Sequence, residues 1–425
     1  MTQRLGILVD LACRNLRRHL RRTILTALAL VVGGAVLMIT FPLGDGTHEA
    51  WIESGVRMGS GHVSIQRPGF QASRKIEVRL SRDARAEAEA ALEAPEVQGY
   101  VTAVSPQLSV SGLASSPTGA RPVQIVGVES AAEATFGILD EKTAEGRYLE
   151  PDDRLAAYVG AGLAEGLDLR LGSRLVLTAQ DGSGEIAGQL VRVIGIFRTG
   201  VPEVDQSLVH VPLATAGAWL GTGGDVTQIA VLAEESLHVD RLRRALERKL
   251  AGPIERGDLS IMGWREAMPE LDAAVKIDDF GNYLMQGILF TIIGIGIVNT
   301  VLMSVLHRHR EFGVLQALGL TPAQTGTLVL IEGLVLTAFS GIAGVALGLF
   351  ITWFFWRDGL DFSSMLNEEW SFSGVVMEPV VIPMFRLARV VQALLFLLVV
   401  GALASLYPAF RAARIDVTEA MKFER

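Results

Sequence analysis

Residue types and spacings that carry chemistry are sparse in this chain of 425 residues. The G-x-x-x-x-G-K-[ST] loop that cradles nucleotide phosphates occurs nowhere, so the chain has no P-loop with which to hydrolyse ATP. Gly160-Ala161-Gly162 with Gly166 follows a strand-like run and opens a helical one, as a dinucleotide fingerprint would. Its third glycine stands one place late, and the spacing predicts a turn with a helix start. Seven histidines are scattered along the sequence. His307 and His309, two residues apart, point to different faces of a helix, so a metal pair is not expected. Nothing resembles G-x-S-x-G, H-E-x-x-H or a Cys–His nucleophile pair. Cys13, the single cysteine, rules out an internal disulfide framework. The expectation is therefore a non-catalytic chain with no metal site and no cofactor of its own, whose work lies in its architecture.

Half of the residues are hydrophobic and the mean hydropathy is +0.37. The excess is concentrated in four windows, Thr23–Leu43, Leu284–Leu306, Thr327–Phe355 and Val390–Ala409. Each suits a membrane-spanning helix, for which ~20 apolar residues match ~30 Å of hydrocarbon. Glu332 alone interrupts them, and a carboxylate there must face protein, water or the interface; its place near the end of its span favours water. Arg17-Arg18 and Arg21-Arg22 before an apolar run resemble a signal sequence, but the run is long and no A-x-A site follows it, which predicts an uncleaved first span. The net charge of −8 argues against a nucleic-acid partner.

Arginines set the orientation. Arg14, Arg17, Arg18, Arg21 and Arg22 place the N-terminal flank in the cytoplasm. Arg308 and Arg310, and the tail with Arg411, Arg414, Lys422 and Arg425, agree. The resulting plan is a cytoplasmic amphipathic helix over 1–22, spans at 23–43, 281–306, 325–355 and 389–409, a large external domain at 44–280, a cytoplasmic segment at 307–324, an external loop at 356–388 and a cytoplasmic tail at 410–425. Leu5, Leu8, Leu11, Ala12 and Leu16 line one side of the first helix, and Pro42 marks the exit of the first span.

The domain at 44–280 reads as α+β. Strand-like runs fall at His62–Gln66, Ile76–Leu80, Tyr100–Val104, Leu108–Ser111, Val123–Val128, Ala156–Gly160, Arg174–Ala179, Gln189–Phe197, Ser207–Val211 and Gln228–Leu232. Helical patterns fall at Asp83–Ala94, stopped by Pro95, at Leu163–Gly166, at Leu237–Leu250 and at Trp264–Ile277. Charged helices at both flanks predict two lobes, one of them rich in sheet. The fold class is thus a four-span α-helical membrane protein, one span and then three, with a large α+β domain inserted after the first.

The segment His307–Gln324 lies between two spans yet has helical spacing. Phe312, Leu315, Gln316 and Leu318 fall near one another, and Gly319 with Thr321-Pro322 supplies a stop. It reads either as a plain connector or as a short helix placed to receive force from a partner. In the third span, Ser340, Gly344 and Gly348 at four-residue spacing, with Gly341 alongside, predict close helix packing, within the chain or across a dimer.

Glu311-Phe312-Gly313-Val314-Leu315-Gln316-Ala317-Leu318-Gly319 resembles the E-I-G-x-L-(R/K)-A-x-G signature of FtsX/MacB-type ABC transporter permeases, with Phe for Ile and Gln for the basic residue. Tyr407-Pro408-Ala409-Phe410-Arg411-Ala412-Ala413-Arg414, with Asp416 and Glu419-Ala420, is similar to that family's C-terminal ending. Leu163-Ala164, Leu169 and Gly172 fit a pattern of its external domain, and Gly61-His62-Val63 resembles the lipoprotein-releasing LolC/LolE branch. The resemblance implies an inner-membrane permease that works as a dimer, with a second copy or a paralogue, on two separate ABC ATPase subunits that hold the ATP and Mg. It implies that Arg308, Arg310, Glu311, Phe312, Gly313, Leu315, Leu318 and Gly319 dock into the ATPase, with Phe312 and Leu315 as apolar anchors. It implies extrusion of lipoproteins or lipid-like cargo on the external side, with a periplasmic lipoprotein carrier or adaptor as a further partner. Export of a peptide, antibiotic or lipid, and mechanotransmission to a cell-wall hydrolase, stand as alternatives. For a lipid-anchored cargo, Phe41, Leu43, Tyr283 and Met285 near the outer ends of the spans are the candidate contacts.

Overall fold

The computed structural model describes residues 20–234, 238–361, 371–372, 375–376 and 380–415. All of the amphipathic Leu5–Leu20 segment but its last residue, together with Asp416 and Glu419-Ala420, lies outside these. The chain forms two compact units, one holding the residues up to Thr47, Ile277–Asp361 and those from Val380, the other holding His48–Lys276.

Among the described residues, four helices are long and apolar enough to cross a membrane, within Leu20–Arg57, Pro269–His307, Pro322–Trp356 and Leu387–Ala413. The first does not stop at Pro42: the proline lies inside a helix of 38 residues. Proline cannot donate to the carbonyl four residues back. That carbonyl, on Met38, instead lies 3.2 Å from the buried Thr352 hydroxyl, whose one proton it shares with the Gly348 carbonyl at 2.9 Å. A partner on the third span thus satisfies the acceptor that Pro42 orphans, and the helix continues. At 1.5 Å per residue the 39-residue second helix is about 58 Å long, far more than a bilayer's hydrocarbon needs. Both of these long helices cross the boundary between the two units.

The small-residue face of the third span packs inside the chain. A Cβ on Gly344 would lie 2.5 Å from the Val31 carbonyl oxygen, and one on Gly348 would lie 2.6 Å from that of Ala35. Ser340 on the same face is buried. A Cβ on Gly326 would lie 3.0 Å from the Ala409 carbonyl oxygen, and one on Gly401 of the fourth span would run into the Thr337 side chain. Backbone approach of this kind is what small residues permit in lipid, where packing drives association.

The second unit is built on ten strands: β1 (Val63–Gln66), β2 (Val101–Ser116), β3 (Gly119–Val128), β4 (Thr143–Gly146), β5 (Ala156–Gly160), β6 (Arg174–Gln180), β7 (Ile186–Phe197), β8 (Leu208–Pro212), β9 (Gln228–Ala233) and β10 (Ser260–Gly263). They pair in the order β10-β1-β9-β2-β3-β8-β5-β7-β4, with β6 joining β2 to β7. Strands β2, β3, β8, β5, β7 and β6 therefore close a ring, and β9, β1 and β10 continue from the first half of β2. The 16-residue β2 serves both parts. The sequence reads as two runs, Tyr100–Val104 and Leu108–Ser111, with Pro106 between them lacking a ladder donor, but pairing to β9 before and β3 after carries the strand through.

Two other expectations differ. Ile76–Leu80 is not a strand but a turn with one bridge, Leu80 to Val226. Its alternating Ile76 and Leu80 are buried core contacts of an irregular segment. Pro95 follows a helix ending at Leu92 and opens a further short one, Pro95–Gln98, since proline's fixed φ and missing donor suit a first helical position. Strands β4 and β10 were not legible, being four residues long with little alternation.

Candidate functional site

The segment between the second and third spans is a helix, His309–Ala317. Its end is determined locally: Gly319 takes φ +105°, the Gly319 amide donates to the Gln316 carbonyl, and the Leu320 amide donates to that of Leu315. This pair of bonds satisfies carbonyls that a helix end leaves open. Thr321 then caps the third span through the Gln324 amide, and the Gln324 side chain accepts from the Thr321 amide in return. Two helices are thereby joined with almost no slack.

One cation fixes this helix to the bundle. Arg308 is 5 % exposed, and its Nη1 donates to both carboxylate oxygens of Glu332, at 3.0 and 2.8 Å. Its Nε donates to Glu311 Oε2 at 2.8 Å. The guanidinium also lies 4.8 Å from the Phe312 ring centroid. Glu332 is accordingly 8 % exposed and faces protein, not water as its position near the span's end suggested. A carboxylate inside a span is tolerable when a paired cation shares its burial.

Within the chain, part of the docking set expected from the signature faces inward. Arg308 and Phe312 are buried, Phe312 completely, and Gly313 is buried with them. Phe312 packs among Val305, Leu328 and Ala412 and so seats the helix on the bundle. Leu315 is half-buried against the same cluster. The outward face is Arg310, Glu311, Val314, Ala317 and Leu318, with Leu318 77 % exposed. Gly319 is exposed beside them. Spacing of i, i+4, i+7 and i+8 puts Arg310, Val314, Ala317 and Leu318 on one stripe.

The four candidate cargo contacts are not brought together as one surface. Phe41 is buried among the first, third and fourth spans, with the Arg389 guanidinium 5.5 Å from its ring. Leu43 is half-buried, whereas Tyr283 and Met285 are exposed on the second span. Near Phe41 sits an ion pair that sequence reasoning missed: Arg389 Nε approaches both oxygens of the buried Asp45, at 3.1 and 2.9 Å. Each residue lies at the edge of an apolar run, 344 positions apart, and no local pattern links them.

Gly61-His62-Val63 has a structural basis. Gly61 adopts φ +70°, and a Cβ there would lie 2.6 Å from the Val231 backbone. His62 is buried and its Nδ1 accepts from the Ala233 amide at 3.3 Å. Leu163, Ala164 and Leu169 are core residues, and Gly172 takes φ +84°. Gly160 and Gly162 accommodate the chain at Asp205–Gln206, which agrees with a turn and a helix start.

A four-helix membrane unit with an inserted α+β domain is the architecture of a particular class of ABC transporter permeases. Residues 283–417 match the FtsX-like permease C-terminal model, and residues 23–249 match the MacB-like periplasmic core domain. The chain belongs to the FtsX/MacB family of ABC transporter permeases, with LolC-like relatives. It is 23 % identical to the lipoprotein-releasing system transmembrane protein LolC of Neisseria meningitidis over 76 % of this chain and 79 % of that one. It is 19 % identical to an uncharacterised ABC transporter permease of Methanocaldococcus jannaschii over 98 % of each. It is 26 % identical to the macrolide export ATP-binding/permease protein MacB of Brucella melitensis over 80 % of this chain and 52 % of that one.

Proposed function

We propose that this chain couples ATP hydrolysis on separate ATPase subunits, which hold the ATP and Mg, to extrusion of lipoproteins or lipid-like cargo at the periplasmic side of a bacterial inner membrane. Both termini lie in the cytoplasm, the arginine-rich flanks facing inward, and the complex pairs this chain with a second copy or a paralogue. The observation that carries the reading is the helix His309–Ala317. One face is locked to the bundle through Arg308 and Phe312, and the other presents Arg310, Glu311, Val314 and Leu318 outward. An apolar ridge between charges, held on a stiff mount, suits a groove on a moving partner. Movement of that partner then reaches the third span directly, because Arg308 ties the short helix to Glu332.

Similarity to LolC supports lipoprotein cargo, with a periplasmic carrier as receiver. Similarity to MacB supports a second reading, export of a small molecule or peptide with a periplasmic adaptor. Purification from native membranes separates them: co-purified lipoproteins favour release, and a co-purified adaptor favours export. Arg310→Glu and Leu318→Asp are expected to abolish transport and its stimulation of the ATPase while leaving the thermal midpoint of the permease within about 2 °C, as surface substitutions do. Normal transport in both variants, or purification without any ATPase, overturns the proposal.

A further inference from the structure

The second unit contains a polar cavity that the coupling function does not use. Strands β9, β2, β3 and β8 are neighbours, and one face of them carries Gln228, Gln107, Ser109 and His210, all nearly fully buried. On the opposite face Leu108, Val110, Val209 and Ile229 form the main apolar core. Both faces of the sheet are therefore covered, yet one is lined with groups that lose hydration on burial. Their face lines a half-open cavity of about 200 Å³, bordered also by Ser60, Gln71, Arg74, Glu133 and Met268. A dry cavity of about 150 Å³ holds benzene, so this one admits a molecule somewhat larger.

The polar atoms of the wall are only partly satisfied from within. Glu133 Oε2 accepts from Ser105 and from Gln107 Nε2, the latter at 3.1 Å, and Gln228 Nε2 donates to Gln107 Oε1 at 2.6 Å. His210 Nδ1 is paired with the Tyr148 hydroxyl at 3.1 Å. The Ser60 hydroxyl is buried without a partner. Among the described residues, Glu133 Oε1 and His210 Nε2 also make no hydrogen bond. A buried donor or acceptor left open costs about 1–3 kcal/mol, so the orphaned Ser60 hydroxyl, beside the unbonded Glu133 Oε1 and His210 Nε2, calls for an occupant.

The wall's charges define that occupant. Glu133 is the buried acid and has no cation bonded to it; burial holds its carboxyl above the usual range. Arg74 is the one guanidinium among the residues lining the cavity and is exposed, with Glu270 as its acidic neighbour. We propose that the cavity binds a small zwitterion the size of a free amino acid, its ammonium group on Glu133 and its carboxylate toward Arg74. The Ser60, Gln107, Gln228 and His210 groups then hydrogen-bond the body of the ligand. Such a site would let the extramembrane domain sense or carry a small polar metabolite.

The test uses the full-length chain in detergent, screened by thermal shift against the standard L-amino acids, with n-butylamine and butyrate as single-charge controls. Amino acids that shift the midpoint are then titrated calorimetrically. At least one amino acid is expected to bind with a Kd below about 1 mM, with either control at least about tenfold weaker. Glu133→Gln, which keeps the shape of the side chain, and Arg74→Gln, which alters only an exposed residue, are each expected to weaken binding at least tenfold. Three outcomes would each overturn the proposal: no amino acid binding at roughly 10 mM, butylamine binding as tightly as the amino acid, or both variants binding like wild type.

Discussion

Arg308 carries more of the site than its neighbours, because it is one buried cation shared by two carboxylates. Replacing it with methionine takes the buried cation away from Glu332, which costs about 3–5 kcal/mol; the double variant Arg308→Met, Glu332→Gln should recover most of that. Thermal unfolding in detergent checks both, and equal losses in the single and double variants would refute the pairing argument. The buried histidines make a second prediction. Burial lowers both His62 and His210 to about 4. The unfolded chain, with histidine near the ordinary 6.5, binds more protons between pH 6.5 and 4, so stability is complete above that window and falls as pH drops through it. At 1.36 kcal/mol per unit the loss is about 3 kcal/mol for each histidine. Glu133 works in the opposite sense, since its raised carboxyl costs stability as pH rises above the ordinary glutamate range. His210→Gln should flatten the midpoint between pH 7.5 and 5, and an unchanged acid slope would show that His210 is not the group responsible. In the sequence these two histidines looked merely scattered. Only the sheet reveals that they are buried against its polar face and its β1 end.

At the scale of elements, the bundle depends on places where backbones touch. Gly348→Val forces a side chain into the Ala35 carbonyl and the Met38 side chain and should lower the midpoint steeply, whereas Gly287→Ala, with nothing within 4 Å of its new methyl, should be neutral or slightly stabilising. Thr352→Val removes the donor that the Met38 carbonyl relies on below Pro42, at an expected cost of about 1–3 kcal/mol. If Thr352→Val and Gly287→Ala behave alike by differential scanning fluorimetry, the hydroxyl is not what sustains the helix past its proline. The spacing of Ser340, Gly344 and Gly348 announced a packing face. It left open whether the first span or another molecule filled it, because a stripe of small residues specifies closeness and not the neighbour. Pro42 misled for a related reason. A proline ends a helix unless something else takes the carbonyl it orphans, and that something stands 314 residues away.

For the whole molecule, the proposed coupling would have motion pass along the two long helices whose residues run from one unit into the other. Inserting two glycines after Lys276 should therefore leave ATPase assembly intact but sever transport from hydrolysis, read as stimulated ATPase activity without release of cargo; retained transport would argue against a rigid connection. Hydropathy, arginine distribution and the Glu311–Gly319 signature determined the four spans, the inserted α+β domain and the family from sequence alone, because apolar length, turn chemistry and short motifs are local properties of a chain. The strand order, the ring closed by β6, the choice of Val31 and Ala35 as the third span's neighbours, and the inward turn of Arg308 and Phe312 were decided only by tertiary structure. Each is a pairing between residues far apart in the chain, and which distant partner satisfies a buried charge, carbonyl or small-residue face is set by packing in three dimensions, not by the pattern around either residue.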